Sequence, residues 1–257
     1  QNFRLAQMSL AETANIFYKL RKPSIKHRLP IHEPFLQKRF TTCAIVGNGG
    51  VLKGRSNGRE IDEHEVVFRI NSSPIEPYVK DVGSKTTFMW SAASRYIRCW
   101  TWKDYPNLMK IPHSVYGQIP MDVSFFRDCL DEFETKYPHI QLHLISHEWM
   151  MLADEIIREY IGNDRNETKS KLRSTGMMVF MAASVSCDKI SIYGFKDSPE
   201  GHHHYWENVP DTTRAWERHT YDAEQEFFHD VATENYEKFE KYLWPYNLTK
   251  DIVFVTN

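Results

Sequence analysis

Apolar residues recur at helical spacing from the start of the chain. Phe3, Ala6, Leu10, Ala14, Phe17 and Leu20 predict an amphipathic helix over residues 3–20. A basic, proline-bearing stretch at 22–34 reads as a connector. The pattern then changes to short apolar runs at 43–47, 66–70 and 86–90, each of strand length. Residues 95–120 mix Trp, Tyr and Pro and define no element. A helix is predicted at 123–137, a strand at 141–145 and a second helix at 148–160. Beyond a polar loop at 163–171, residues 175–186 are small or apolar throughout, as in a helix buried on all sides, and 190–193 reads as a buried strand. An aromatic, His-rich loop fills 200–220. The helix predicted at 222–243 places Phe228, Ala232, Tyr236, Phe239 and Leu243 on one face, and 252–255 is a last short strand.

Strands alternating with helices predict an α/β fold: a single Rossmann-like domain with a mostly parallel, twisted sheet flanked by helices. Residues 1–40 form an N-terminal helix and connector in this reading, and residues 41–257 the main domain. The 257 residues suffice for one large core. With 41% hydrophobic and 26% charged residues, the composition is that of an ordinary globular protein. A net charge of −2 and the lack of a long basic run argue against a nucleic-acid partner. No apolar stretch of membrane-spanning length and no signal peptide are visible.

Candidate chemistry concentrates where the first apolar run breaks into Gly47-Asn48-Gly49-Gly50. Glycines let the backbone approach an anion, and a helix start favours negative charge. The second run ends on Asn71, so two strand ends would deliver Asn48 and Asn71 to the carboxyl edge of a parallel sheet, where nucleotides bind. A plain structural turn stands beside that reading. A dinucleotide oxidoreductase is disfavoured, because the third glycine and the ribose-binding acid of that fingerprint are missing. His202-His203-His204 suggests a metal, but adjacent histidines point in different directions and no second ligand cluster accompanies them, so no metal site is expected. Four cysteines do not by number fix the redox compartment.

Three blocks in order carry a family resemblance. The first joins Cys43, Gly47-Asn48-Gly49-Gly50, Glu60-Ile61-Asp62, Phe68-Arg69-Ile70-Asn71 and Asp81-Val82-Gly83-Ser84-Lys85-Thr86. The second runs from Ser174-Thr175-Gly176 to Cys187-Asp188-Lys189 and Tyr193-Gly194-Phe195, and the third is His204-Tyr205-Trp206-Glu207. Together they resemble the large, small and third sialylmotifs of animal-type sialyltransferases, most nearly those forming α2,3 links to galactose. That resemblance implies the GT-A-like variant of the α/β fold. It also implies an inverting, metal-independent transfer of sialic acid from its cytidine monophosphate conjugate to a glycan hydroxyl, with no cofactor beyond the donor substrate. The acceptor would be a glycoprotein or glycolipid, and the compartment the Golgi lumen. A type II membrane anchor would then be missing from this chain.

The resemblance further implies a Cys43–Cys187 disulfide; Cys99 and Cys129 are left either bridged or free. It places Asn48, Gly49, Asn71, Ser174, Thr175, Gly176, Gly194 and Tyr205 around the donor and His204 by its phosphate. Ser174 and Thr175 also suit an ordinary helix cap, and Tyr205 and Trp206 ordinary core packing. The fourth family motif, a His with a Glu five residues on, fits both His219 with Glu224 and His229 with Glu234. His219 is the favoured base because it precedes a helix, whereas His229 lies within one, where packing is the expected role. Glu224 would sit in the first helical turn, where the dipole favours a carboxylate regardless of catalysis. Asn166 and Asn247 head glycosylation sequons. Asn71 formally does too, but a donor-site amide is expected to stay unmodified. Transfer of another ulosonic acid such as Kdo, or a non-catalytic glycan- or nucleotide-binding relative, are the alternatives.

Overall fold

The computed structural model describes residues 39–71, 73–91, 114–118, 135, 138, 141–145, 147–161, 173–196, 199, 201–208, 221–233, 239 and 251–255. The helix expected at 3–20, the connector after it, Cys99, Cys129, Asn166, Asn247 and His219 lie outside those residues, as does almost all of the helix expected at 123–137.

Seven strands form one sheet: β1 (Phe40–Val46), β2 (Val66–Ile70), β3 (Phe88–Ser91), β4 (Ser114–Gln118), β5 (Gln141–Ile145), β6 (Cys187–Tyr193) and β7 (Asp251–Val255). Their spatial order is β5-β4-β3-β2-β1-β6-β7, and every pairing is parallel. The chain winds outward from β1 through β5, then returns beside β1 to build β6 and β7. The order therefore reverses between β1 and β6, and in such sheets the crevice beyond the strands' carboxyl ends at that point is where ligands bind.

Both faces of the central strands are covered, which is why β2 is buried at every position and is apolar except for Arg69. Successive side chains of β1 point to opposite layers. Cys43 and Ile45 enter the layer built by α3 (His147–Ile161), α4 (Thr175–Ser186) and α5 (Tyr221–Ala232). Ala44 and Val46 enter the other layer, with Ile61 of α1 (Gly58–Glu63) and Val82 of α2 (Val79–Val82). Helix α4 is buried along its whole length, as its composition predicts. Phe180 on α4 meets Phe227, Phe228 and Phe239 at ring-centroid distances of 6.1, 4.4 and 6.0 Å. The cysteines of β1 and β6 form the expected Cys43–Cys187 disulfide.

Several residues of the first motif turn out to be scaffold. Asp62 accepts from the Ser84 N–H and hydroxyl at 2.9 Å and from the Lys85 N–H at 2.8 Å. The buried Arg69 guanidinium donates to the carbonyls of Lys85 and Val82 and to the Thr86 hydroxyl at 2.8–3.0 Å. Burial pulls its pKa from the usual 12.5 down to about 10. Asp81 holds the Gly54 and Ser56 N–H groups at 2.8 and 2.9 Å. These bonds tie the loop after α2 to α1 and to Arg69 near the end of β2, and α2 to the turn before α1. Asp62→Ala strips the Ser84 and Lys85 N–H groups of their acceptor and is expected to lower stability by about 1.5–3 kcal/mol, measurable by denaturant unfolding. The companion Asp62→Asn, which keeps an acceptor oxygen, should lose less.

Candidate donor site at the β1–β6 crevice

Beyond β1 the backbone runs Gly47-Asn48-Gly49, and it meets the segment after β6 at hydrogen-bond distance. The Gly47 N–H donates to Tyr193 O at 2.8 Å, and the Gly49 N–H to Gly194 O at 2.7 Å. The approach leaves no room for side chains: a Cβ on Gly49 would lie 2.1 Å from Lys196 O, and one on Gly194, whose φ is +70°, 2.4 Å from a Leu52 methyl. The loop after β6 then returns to the same place. Gly49 and His204 form an isolated bridge, the Gly50 N–H donates to His203 O at 3.0 Å, and the Tyr205 N–H to Asn48 O at 3.1 Å.

Asn48 follows β1 and Asn71 follows β2, two neighbouring strands. The Ser73 hydroxyl donates to Asn48 Oδ1 and also lies 3.1 Å from Ile70 O, so it links the two strand ends. Asn71 adopts φ +56°, a left-handed conformation that asparagine tolerates, and its N–H donates to Trp90 O at 2.6 Å. His204 is held by its own turn. Its N–H donates to Glu207 Oε2 at 2.9 Å, its Nδ1 pairs with Glu207 Oε1, and its ring stacks on Trp206 at 4.4 Å. A carboxylate on Nδ1 fixes the ring's orientation and leaves Nε2 as the atom for a ligand.

The start of α4 belongs to the same edge. Helix α4 runs directly into β6, so it begins at the strands' carboxyl end; Gly176 abuts the Phe195 ring, which would lie 2.7 Å from an added Cβ. Ser174 caps the helix by accepting from the Met177 N–H at 3.2 Å. Asn48, Gly49, Asn71, Gly194, Ser174, Thr175, Gly176 and His204 thus lie at one sheet edge, together with the N-terminus of α4.

Residues 1–236 match the sequence model of glycosyltransferase family 29 (sialyltransferase). The chain belongs to that family.

Among its relatives, a Mus musculus CMP-N-acetylneuraminate-beta-galactosamide-alpha-2,3-sialyltransferase 2 is 29% identical over 65% of this chain and 46% of its own length. The Homo sapiens alpha-2,8-sialyltransferase 8E is 32% identical over 70% of this chain and 51% of its own. This family-29 chain therefore spans about half the length of those curated relatives. Its fold is that of a crystallised mammalian sialyltransferase, with a TM-score of 0.61 at 21% identity over 99% of this chain and 83% of the other.

Two expectations need correction. Tyr205 does not line the mouth: it is 1% exposed, its hydroxyl donates to Pro74 O at 2.5 Å, and Tyr78 and Trp206 pack against its ring. It supports the His204 turn from beneath. His229 does lie within a helix, but it is exposed rather than buried, with its ring 6.4 Å from that of Phe254, and it lines a cavity of about 650 Å³ with Tyr160, Gly194, Lys196, Asp230 and Phe254. Among the described residues no group of three or more His, Cys, Asp or Glu side chains could hold a metal ion, and no helix is long and apolar enough to cross a membrane.

The sequence reading missed what holds Ser174. Glu224, in the first turn of α5 and 2% exposed, accepts from the Ser174 N–H at 2.6 Å and from the Ser174 hydroxyl. Burial pushes its carboxyl from 4.5 up to about 7; the charge of Asp154 adds to this, and the bonds from Ser174 partly offset it. Its contribution to stability is therefore full below the ordinary value near 4.5 and is lost as pH rises through about 7. The family spacing of Glu224 from His219 was the one available signal, and it gave no partner.

Proposed function

We propose that the chain transfers sialic acid from its cytidine monophosphate conjugate to a glycan hydroxyl, with inversion at the anomeric carbon. The observation that carries this reading is the convergence of Asn48, Asn71, the α4 start and His204 on the one crevice where a doubly wound sheet binds nucleotides. Asn48, Gly49, Asn71, Thr175, Gly176 and Gly194 hold the donor in this proposal. His219, two residues before α5, takes the proton of the acceptor hydroxyl as that oxygen bonds to the anomeric carbon. The bond from that carbon to the phosphate oxygen breaks, and cytidine monophosphate leaves against a protonated His204. Residues 41–257 make up the catalytic domain, and the acceptor is galactose, linked α2,3, on a glycoprotein or glycolipid in the Golgi lumen. A type II anchor in the whole protein fits that compartment.

Incubation with labelled CMP-sialic acid and a panel of galactose, N-acetylgalactosamine and sialyl acceptors tests the reading. Label on galactose supports it, and label on sialyl acceptors alone moves the linkage to α2,8. Transfer only from CMP-Kdo overturns the donor assignment, and no transfer from either donor by folded protein leaves a binding relative. Turnover is expected to survive excess EDTA unchanged, because the resemblance implies metal independence and His204 supplies the positive charge at the leaving phosphate. Loss with EDTA and recovery with a divalent ion would require His202 and His203 to be reconsidered as ligands.

A further inference from the structure

Glu224 is a fully buried carboxyl placed on the cap of the helix whose start is assigned to the donor. Ordinarily a helix N-terminus and two donated hydrogen bonds keep such a group ionised. Here burial prevails, and the nearby charges oppose one another. Asp154 on α3 disfavours a second anion, while Arg173, just before α4, pairs with Asp154 at 2.9 Å. The two protonation states have different hydrogen-bond consequences for Ser174, whose hydroxyl has one hydrogen and two lone pairs.

When Glu224 is ionised it can only accept, so the Ser174 hydroxyl hydrogen is committed to Oε2. When Glu224 carries a proton on Oε2, that O–H donates to Ser174 Oγ instead. Oγ then accepts from Glu224 and from the Met177 N–H, its lone pairs are filled, and its own hydrogen must turn to another acceptor. In the donor-site reading, the donor's phosphate at that edge is the acceptor it would meet. An anion at the α4 start is also less opposed by a neutral carboxyl beneath it than by a charged one.

We propose that Glu224 is a positioning residue for the donor: protonated, it turns the Ser174 hydroxyl toward the phosphate, and ionised, it withdraws that hydrogen. The inference rests on the donor-site reading above. Donor binding is then coupled to uptake of one proton at Glu224, and its affinity falls as pH rises through the neutral range where this carboxyl titrates.

The test measures binding of a cytidine 5′-phosphodiester to the whole chain, calorimetrically, from pH 6 to pH 8.5. A diester has no phosphate pKa in that range. His204 is assigned to the same phosphate, so the quantity read is the wild-type affinity relative to Glu224→Gln, in which any His204 contribution cancels. The glutamine amide donates to Ser174 Oγ and accepts its N–H, as the protonated acid does. Wild type should weaken about tenfold more than Glu224→Gln across the range, with the two alike at pH 6. Ser174→Ala should bind weakly at all pH and lose the difference. Wild type with cytidine alone, which lacks the phosphate, should lack this component, and that arm needs no folded variant. Parallel wild-type and Glu224→Gln profiles, or the same pH dependence with cytidine, would overturn the proposal. No diester binding at any pH would instead remove the donor-site reading itself, and this inference with it.

Discussion

His219→Ala is expected to lower turnover by about two to four orders of magnitude while donor affinity changes little, the usual range for loss of a general base. A sugar hydroxyl attacking the anomeric carbon must lose its proton as the bond forms, and an imidazole with its pKa near neutrality suits that task. His219 precedes α5 by two residues, and the first turn of α5 is fastened to the α4 cap through Glu224. The helix that follows the proposed base is thus anchored to the helix start proposed to face the donor. His204→Ala should reduce both turnover and donor affinity, since the ring is assigned to the phosphate. His229 is the comparison. It lies five residues beyond Glu224, about 7.5 Å further along the helix axis, and is exposed. The sequence expectation that its loss acts through stability therefore gives way. His229→Ala should leave stability within about 0.5 kcal/mol, as for exposed positions. Folded His219→Ala with near-normal turnover, and collapse in His229→Ala, would transfer the role to His229 and to the cavity it lines.

Physical reasons separate what the sequence revealed from what it hid. Strand β2 and helix α4 are buried along their whole length, so the apolar residues of β2, interrupted only by Arg69, and the small or apolar residues of α4 marked both to the residue. Strand β4 went unseen. Its five residues, Ser-Val-Tyr-Gly-Gln, hold a glycine and two polar residues, and its place in the sheet comes from pairing with β3 and β5 rather than from local pattern. Strand β6 begins three residues before its apolar run, because exposed Asp188 and Lys189 are carried into the ladder by pairing with β1 and β7. The site divides similarly. Glycines and asparagines that need a particular backbone were legible from their types. The partners that position them were not, since Glu224 and Ser174 stand 50 residues apart and Ser73 and Asn48 are 25 apart. Tyr205 was misplaced because an aromatic side chain serves a binding wall and a core equally well. His204 and Glu207, three residues apart on one turn, are a pair the spacing could have suggested.

Replacing Cys43 and Cys187 together by alanine is expected to cost about 2–5 kcal/mol of stability. The two cysteines are 144 residues apart, and closing a loop of that length restricts the unfolded chain by about 5 kcal/mol in the loop-entropy account, with realised values often smaller. Their position makes the effect more than a constraint on the unfolded state. Cys43 lies in β1 and Cys187 opens β6, the two strands that flank the crevice, and both are fully buried in the layer facing α3, α4 and α5. The bridge therefore joins the strands that present Asn48, Gly49 and Gly194 at their far ends. Shortened side chains in that layer leave a void beside Ile45 and Ile190 as well, so part of the loss is packing. Denaturant unfolding of the oxidised protein against the double alanine variant measures the total. Non-reducing peptide mapping should recover Cys43 linked to Cys187. Two free thiols there, or a double variant as stable as the parent, would remove the disulfide from the account of this fold and the secretory compartment from the proposed function.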